Sequence, residues 1–336
     1  MRLKDVGEFG FINRISKGCL IRREGVVRAI GDDAAAFRPA AGELALVTTD
    51  LLVERVHFLT DAMSGFDLGR KSLAVNLSDI AAMGGTAREA FVSIGIPENL
   101  PVDYLEAVYQ GMTSLATEYD VNILGGDTTG SKSDLIINVA VTGSVPETEM
   151  LLRSTARVGD TIFCTGCLGD SRAGLHLILN GMDRTDDALA ALYHAHVRPH
   201  PCLREGRFLA ASGAVRSAID VSDGLSSDLR HIVRESGVGA RLDADAIPLS
   251  DPLKRFCARF GFDPLAFAMD GGEDYTLLCT VGKGRADRLA ADYQSVFGSP
   301  LIPIGEITAT GRMELKTPEG RLHPIRPGGW DHFRKV

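Results

Sequence analysis

The sequence predicts an α/β protein of two domains. Three observations carry that reading. The 336 residues exceed what one core ordinarily serves. Short apolar runs alternate with stretches of helical period. Around residues 146–159 the composition turns polar and irregular, which separates a first domain, 1–147, from a second, 148–336. A hydrophobic content of 45 % and a charged content of 24 % belong to a globular chain. The net charge of −8 argues against a nucleic-acid partner, because affinity for a phosphate backbone rests on clustered Lys and Arg. An acidic protein that handles phosphates needs metal ions as intermediaries. Residues 1–20 contain no continuous apolar segment, and no run approaches the roughly eighteen apolar residues of a membrane span, so a cytoplasmic location is expected.

Residues 8–16 read as a short opening helix, and Ala29-Ile30 then runs into Gly31-Asp32-Asp33-Ala34-Ala35, too acidic for a core. A strand over 44–48 ends in Thr48-Thr49-Asp50, followed by a loop containing His57. Next comes 71–85, KSLAVNLSDIAAMGG, where Leu73, Leu77, Ile80 and Ala81 recur at helical spacing before a Gly84-Gly85 stop. Asp79 lies beside that apolar stripe, with Asn76 three residues earlier. A carboxylate so near a core face must be paired, hydrogen-bonded or metal-bound. Residues 91–96 alternate as a strand, 102–119 follow Pro101 as a helix, 121–124 form an apolar run ending in Gly125-Gly126-Asp127-Thr128-Thr129, and 135–145 form another strand.

The second half opens with a strand over 160–165 and a helix reaching Asn180. His194, His196 and His200 fit a polar helix end before Pro199 and Pro201, and no carboxylate–histidine motif of a zinc enzyme surrounds them. The strand 217–221 runs into Asp220-Val221-Ser222-Asp223-Gly224, with a helix from Leu225. Asp270-Gly271-Gly272-Glu273-Asp274 leads into a strand over 275–281, and a helix, two short strands and a polar tail complete the chain. The six cysteines are scattered, with one C-x-x-C at Cys164 and Cys167 and no second pair, so free thiols are expected.

Asp32-Asp33, Asp50, Asp79, Asp127 and the Asp220/Asp223 pair mostly stand at the ends of apolar strands, where α/β folds place ligands. Gathered at one site they would repel each other, and hard cations resolve that repulsion. Oxygen ligands alone, with Thr48 and Thr49 beside the acids, suit Mg²⁺, which usually shares its shell with substrate phosphates and so points to a nucleotide. Neither a Walker A pattern nor a protein-kinase catalytic loop occurs. Gly125-Gly126 and Gly271-Gly272 are instead the places where backbone can approach a phosphate. The alternative is a protein whose acids hold structural Ca²⁺ or Mg²⁺ without catalysis, although no EF-hand spacing is present.

GDDAA (31–35), TTD (48–50), NLSDIAAMGG (76–85), GGDTT (125–129), DVSDGL (220–225), GGEDYTLL (271–278) and GWDHF (329–333) run in order over nearly the whole chain. Together they resemble the thiamine-monophosphate kinase family, within the aminoimidazole-ribonucleotide-synthetase-like ATP-binding superfamily. The resemblance implies ATP-dependent phosphorylation of thiamine monophosphate to thiamine diphosphate. It implies an N-terminal ATP- and Mg²⁺-binding domain whose four-stranded sheet closes a barrel with its copy in a homodimer, and a C-terminal α/β domain completing the ATP and substrate sites. Carried over, Asp33, Thr48, Thr49, Asp50, Asp79, Asp127, Asp220 and Asp223 would hold the metals, with Asp79, Asp127 and Asp220 central to catalysis. Gly126, Asp127, Arg153 and Ser222 would contact ATP, with Tyr109 near the adenine. His57, Glu273 and Trp330 would contact thiamine phosphate; the indole is a natural partner for a cationic ring. Other enzymes of the superfamily remain the rival reading, but Cys19 in SKGCL is a poor fit to the reactive cysteine of a selenophosphate synthetase, and the C-terminal cysteine of the hydrogenase-maturation proteins is absent.

Overall fold

In the computed structural model, which describes residues 11, 12, 14–29, 36–326, 328 and 329, the chain divides into two units. One comprises Met1–Ile80 and Gly85–Thr148, the other Ala81–Gly84 and Glu149–Val336. Of the expected opening helix, residues 11, 12, 14 and 15 are described and helical. Asp32-Asp33 and Trp330 lie outside the described residues.

In the first unit, β1 (Val26–Arg28) and β2 (Ala36–Phe37) form a small antiparallel pair. Four longer strands, β3 (Leu44–Val53), β4 (Thr86–Pro97), β5 (Asn122–Ser131) and β6 (Ile136–Val145), make one sheet in the order β3-β6-β4-β5. Its β4–β5 pair is parallel and the other pairs antiparallel. Alternation along the strands buries Leu46, Leu52, Val92, Ile94, Ile137 and Val139, while the other face leaves Val47 73 % and Leu51 53 % exposed on β3.

The helix α1 (Gly65–Ala82) covers the buried face, with Ile80 against Gly143 of β6. It begins six residues before the predicted start. The reason is a cap: Ser64 Oγ accepts the Asp67 amide at 3.1 Å and donates to the Asp67 carboxylate at 2.7 Å. Nor is α1 half-exposed, as its apolar stripe predicts; even Lys71, Asn76 and Ser78 are buried. What buries the other side is α2 (Val102–Glu118), which packs backbone to backbone through glycines. A Cβ on Gly69 would lie 1.8 Å from the Val108 carbonyl oxygen, and one on Gly111 would lie 2.0 Å from that of Phe66.

Among the described residues the second unit carries seven strands: β7 (Asp160–Cys164), β8 (Val215–Asp220), β9 (Gly239–Asp243), β10 (Leu277–Gly282), β11 (Ile302–Thr308), β12 (Met313–Lys316) and β13 (Leu322–Pro324). Their order is β13-β12-β9-β11-β7-β10-β8, antiparallel except at β12–β9. Its helices are α3 (Asp170–Leu179), α4 (Asp187–Val197), α5 (Leu203–Ala211), α6 (Leu225–Ser236), α7 (Asp251–Phe260), α8 (Pro264–Asp270) and α9 (Lys283–Phe297). One core joins the sheet to α6 through Ile162, Ile219, Leu229, Ile232, Leu278 and Ile304. A second joins α3, α4, α7 and α8 through Leu177, Leu192, Phe256 and Phe267. After α9 come three strands rather than the two expected, and α5, α7, α8 and β9 were not foreseen; short elements carry too few residues to display a period.

The glycine contact between α1 and α2 sets a test. Gly69→Ala should lower unfolding free energy by about 3 kcal/mol in urea titration, from overpacking against backbone. Gly284→Ala in α9, where an added Cβ meets nothing within 4 Å, should change it by less than about 1 kcal/mol.

Candidate active site

In the first unit the site is built where α1 meets the edge strand β3. Asn76 and Asp79, three residues apart on α1, both face that strand. Asn76 Oδ1 accepts the Asp50 amide at 3.0 Å, and the Thr48 hydroxyl donates to the Asp79 carboxylate. Asp50 and Asp79 are close enough to repel: burial first, then the Asp79 charge, pushes the Asp50 carboxyl up to about 6. Thr49 alternates to the opposite face, where Asn138 donates to its hydroxyl at 2.9 Å and to the Asp50 carbonyl at 3.1 Å. Thr48, Asp50 and Asp79 are thus brought together, and the Thr49 side chain is not.

Thr48-Thr49-Asp50 lies in the middle of β3 and Gly125-Gly126-Asp127 in the middle of β5, correcting the expectation that these motifs follow strand ends. Edge strands accept charged residues because one of their sides needs no ladder partner. Gly126 is required by close approach: it holds φ 151°, and a Cβ there would lie 1.7 Å from the Val92 carbonyl oxygen. β3 and β5 are the two edges of the sheet, so Asp127 stands three strand spacings from Asp50, about 14 Å. Tyr109 is a core residue of α2, 6 % exposed and edge-on to Phe11 at 6.0 Å. His57 is half-buried; its Nδ1 accepts the Val53 amide at 3.0 Å, which leaves the proton of the neutral ring on Nε2.

In the second unit two motifs lie side by side. Asp220 ends β8, 2 % exposed, and the turn after it carries Ser222 and Asp223. Glu273 donates its amide to the Ser222 carbonyl at 2.7 Å, and Tyr275 donates to that of Val221 at 2.9 Å. Gly329 closes onto the same place, since a Cβ on it would meet Ser227 Cβ at 2.6 Å and the Asp223 carbonyl oxygen at 2.8 Å. Asp220, Ser222, Asp223 and Glu273 are therefore assembled, with the residue preceding Trp330 beside them. Arg153 is exposed, its backbone fixed by the hydroxyls of Ser217 and Ser236, which donate to its carbonyl at 3.1 and 3.0 Å.

Two carboxylates that the motif reading passed over complete this place. Asp228, in the first turn of α6, accepts the amides of Asp223 and Gly224 at 3.1 and 3.0 Å. Burial, then Asp220 and Asp223, pushes its carboxyl up to about 8. An acid in a first helical turn is ordinarily a favourable dipole partner, so its sequence signal is weak. Asp274 accepts the amides of Gly169 and Ser171, at 2.7 and 3.2 Å, at the N-terminus of α3. Burial raises its carboxyl to about 8, the two amides pull it down, and Asp170 and Glu273 add to the rise. His196 is buried in α4, His200 Nε2 lies 3.2 Å from Glu205, and all six cysteines are free.

The donor set fits Mg²⁺: carboxylate and hydroxyl oxygens only, with Asp50 crowded against Asp79 in a way a divalent cation would relieve. Among the described residues no helix is long and apolar enough to cross a membrane.

The two units define a class. Residues 31–145 match the family model of the AIR synthase related protein, N-terminal domain, and residues 157–317 that of its C-terminal domain. The thiamine-monophosphate kinase of Aquifex aeolicus (strain VF5) is 36 % identical over 335 residues, 99 % of this chain and all of that one. The crystal structure of thiamine-monophosphate kinase from Stenotrophomonas maltophilia K279a superposes with a TM-score of 0.84 at 35 % identity, covering 95 % of this chain and 98 % of that one. A structure of AaThiL complexed with AMPPCP and TMP superposes with a TM-score of 0.79 at 32 % identity and 99 % coverage of both. The chain belongs to the thiamine-monophosphate kinase family.

Asp274 gives the second unit a pH signature. Its folded carboxyl holds a proton up to about 8, whereas an unfolded aspartate releases it near about 3.9. The folded state then binds the extra proton across that window, and stability falls as pH rises through it. The unfolding temperature should drop between about pH 5 and 8, and Asp274→Asn should flatten that slope in thermal unfolding followed by intrinsic fluorescence.

Proposed function

We propose that the chain transfers the γ-phosphoryl group of ATP directly, in line, to the phosphate of thiamine monophosphate, giving thiamine diphosphate and ADP. Membership of the family and the relative's complex with AMPPCP and TMP support the donor and the acceptor. The single observation that carries the cation-dependent mechanism is the crowding of Asp50 against Asp79 beside the Thr48 hydroxyl.

Mg²⁺, when bound, neutralises phosphate charge and orients the transferred group. Asp50, Asp79 and Thr48 would hold one cation in the first unit, with Thr49 contributing backbone oxygen. Asp127, at the far edge of the sheet, would hold another beside Gly126, whose bare backbone admits a phosphate. Asp220 and Asp223 would hold cations in the second unit, with the Ser222 hydroxyl on the nucleotide and the exposed Arg153 guanidinium on its phosphates. The acceptor needs no general base: a phosphate monoester has its second pKa at about 6 and arrives already ionised at neutral pH. The residues therefore position the reactants and spread charge, as phosphoryl transfer requires. Asp33 and Trp330 keep their assignments to metal and acceptor, and His57 presents Nε2–H as a donor to the acceptor. Tyr109 supports the fold from within the core. The exposed Val47 and Leu51 favour covering of the open sheet face by a second copy, the homodimeric barrel.

Purified protein with ATP, Mg²⁺ and thiamine monophosphate should release thiamine diphosphate and ADP in equal amounts, resolved by chromatography. Chelation with EDTA should abolish turnover and added Mg²⁺ restore it. Asp79→Asn should lower kcat at least about 100-fold with the circular dichroism spectrum unchanged. Nucleotide binding without thiamine diphosphate would move the acceptor to another compound, and turnover retained by Asp79→Asn would remove Asp79 from the cation site.

A further inference from the structure

Residues 271–276 form neither helix nor strand, and two of them hold left-handed backbone without being glycine: Glu273 at φ 67° and Tyr275 at φ 52°. Such conformations persist where the surroundings over-determine them. The surroundings do so here. The amides of Glu273 and Tyr275 are bound by the Ser222 and Val221 carbonyls, and both oxygens of Asp274 are taken by the amides of Gly169 and Ser171. The backbone around Glu273 is thus fixed, while its carboxylate remains 27 % exposed at the end of a side chain with three rotatable bonds.

His196 stands next to that carboxylate. It lies in the last turn of α4, 2 % exposed, with Nδ1 3.4 Å from Glu273 Oε2 and 3.1 Å from Ser171 Oγ. Ser171 in turn gives its amide to Asp274, so the first turn of α3 is tied to Asp274 directly and to Glu273 through His196. We infer that His196 is a positioning residue: its Nδ1–H, shared between Ser171 Oγ and Glu273 Oε2, holds one oxygen of Glu273 and turns the other toward the acceptor's cationic ring. A charge-assisted hydrogen bond of this kind orients as well as attracts, and it does so from a side chain that substrate does not reach. This rests on the reading of Glu273 as an acceptor contact. It adds that specificity for a cationic acceptor depends on a buried histidine one layer behind the site.

Steady-state kinetics on the full chain test it with His196→Ala, His196→Asn, Glu273→Gln and the His196→Ala/Glu273→Gln double variant. His196→Ala should raise KM for thiamine monophosphate about tenfold and leave KM for ATP within about twofold. His196→Asn, whose amide nitrogen reaches where Nδ1 was, should recover most of the loss. In the Glu273→Gln background, His196→Ala should add nothing further. An equal His196→Ala effect in both backgrounds, equal rises in both KM values, or a lower unfolding temperature with unaltered KM would overturn the inference. A raised KM in Glu273→Gln beside an unaltered His196→Ala overturns the positioning role alone, whereas an unaltered KM in Glu273→Gln overturns the acceptor reading of Glu273 and the inference with it.

Discussion

An ionised carboxylate taken out of water loses solvation on the order of several kcal/mol, and this protein gathers such groups on purpose in each of its units. Asp50 sits against Asp79 in the first; Asp228 sits among Asp220 and Asp223 in the second. In both places the carboxyl pKa rises, to about 6 and about 8, because burial first and then neighbours of like charge leave protonation as the available relief. A divalent cation is the other relief, and it comes with open coordination positions that phosphates fill. The chemistry of the site thus follows from an electrostatic debt that the fold maintains.

Maintaining it requires rigid supports. In the first unit the support is α1, buried on nearly all sides and locked to α2 by glycines that bring the two backbones into contact. A helix so confined cannot rotate Asp79 away from Thr48, and Asn76 ties the same face to the Asp50 amide. In the second unit the support is hydrogen bonding. The amides of 223 and 224 converge on Asp228, those of 169 and 171 on Asp274, and the turn after β8 exchanges bonds with the segment before β10. Catalysis of phosphoryl transfer asks mainly for position and charge, and both kinds of support supply position.

Family membership accounts for the order of the motifs, and the geometry shows which of them meet. The Ser222 carbonyl receives the Glu273 amide, so the turn assigned to nucleotide and cation is bonded to the residue assigned to the acceptor. Asp127 stands apart at the far edge of its sheet, which suits a cation of its own. The open face of that sheet, with Val47 and Leu51 exposed, is the part of the first unit most in need of a partner.

The sequence by itself determined the alternation of helix and strand and, through its ordered motifs, the family, and it pointed to cation and phosphate binding, because oxygen donors beside glycine pairs admit few other roles. Asp50, Asp79, Asp220, Asp223 and Glu273 were legible as soon as the motifs were read, since a charge set in an apolar run stands out locally. Which of them meet was decided by tertiary structure alone. That Thr49 faces away from Asp50 follows from strand alternation once β3 is seen to run through the motif rather than end at it. That Asp127 lies across the sheet follows from the strand order, which no local pattern encodes. Asp228 and His196 had no signal of their own: one looks like an ordinary acid opening a helix, the other like a polar residue ending one. Only packing, which brings Asp228 under the turn after β8 and His196 against Glu273, turns those two commonplace residues into parts of the site.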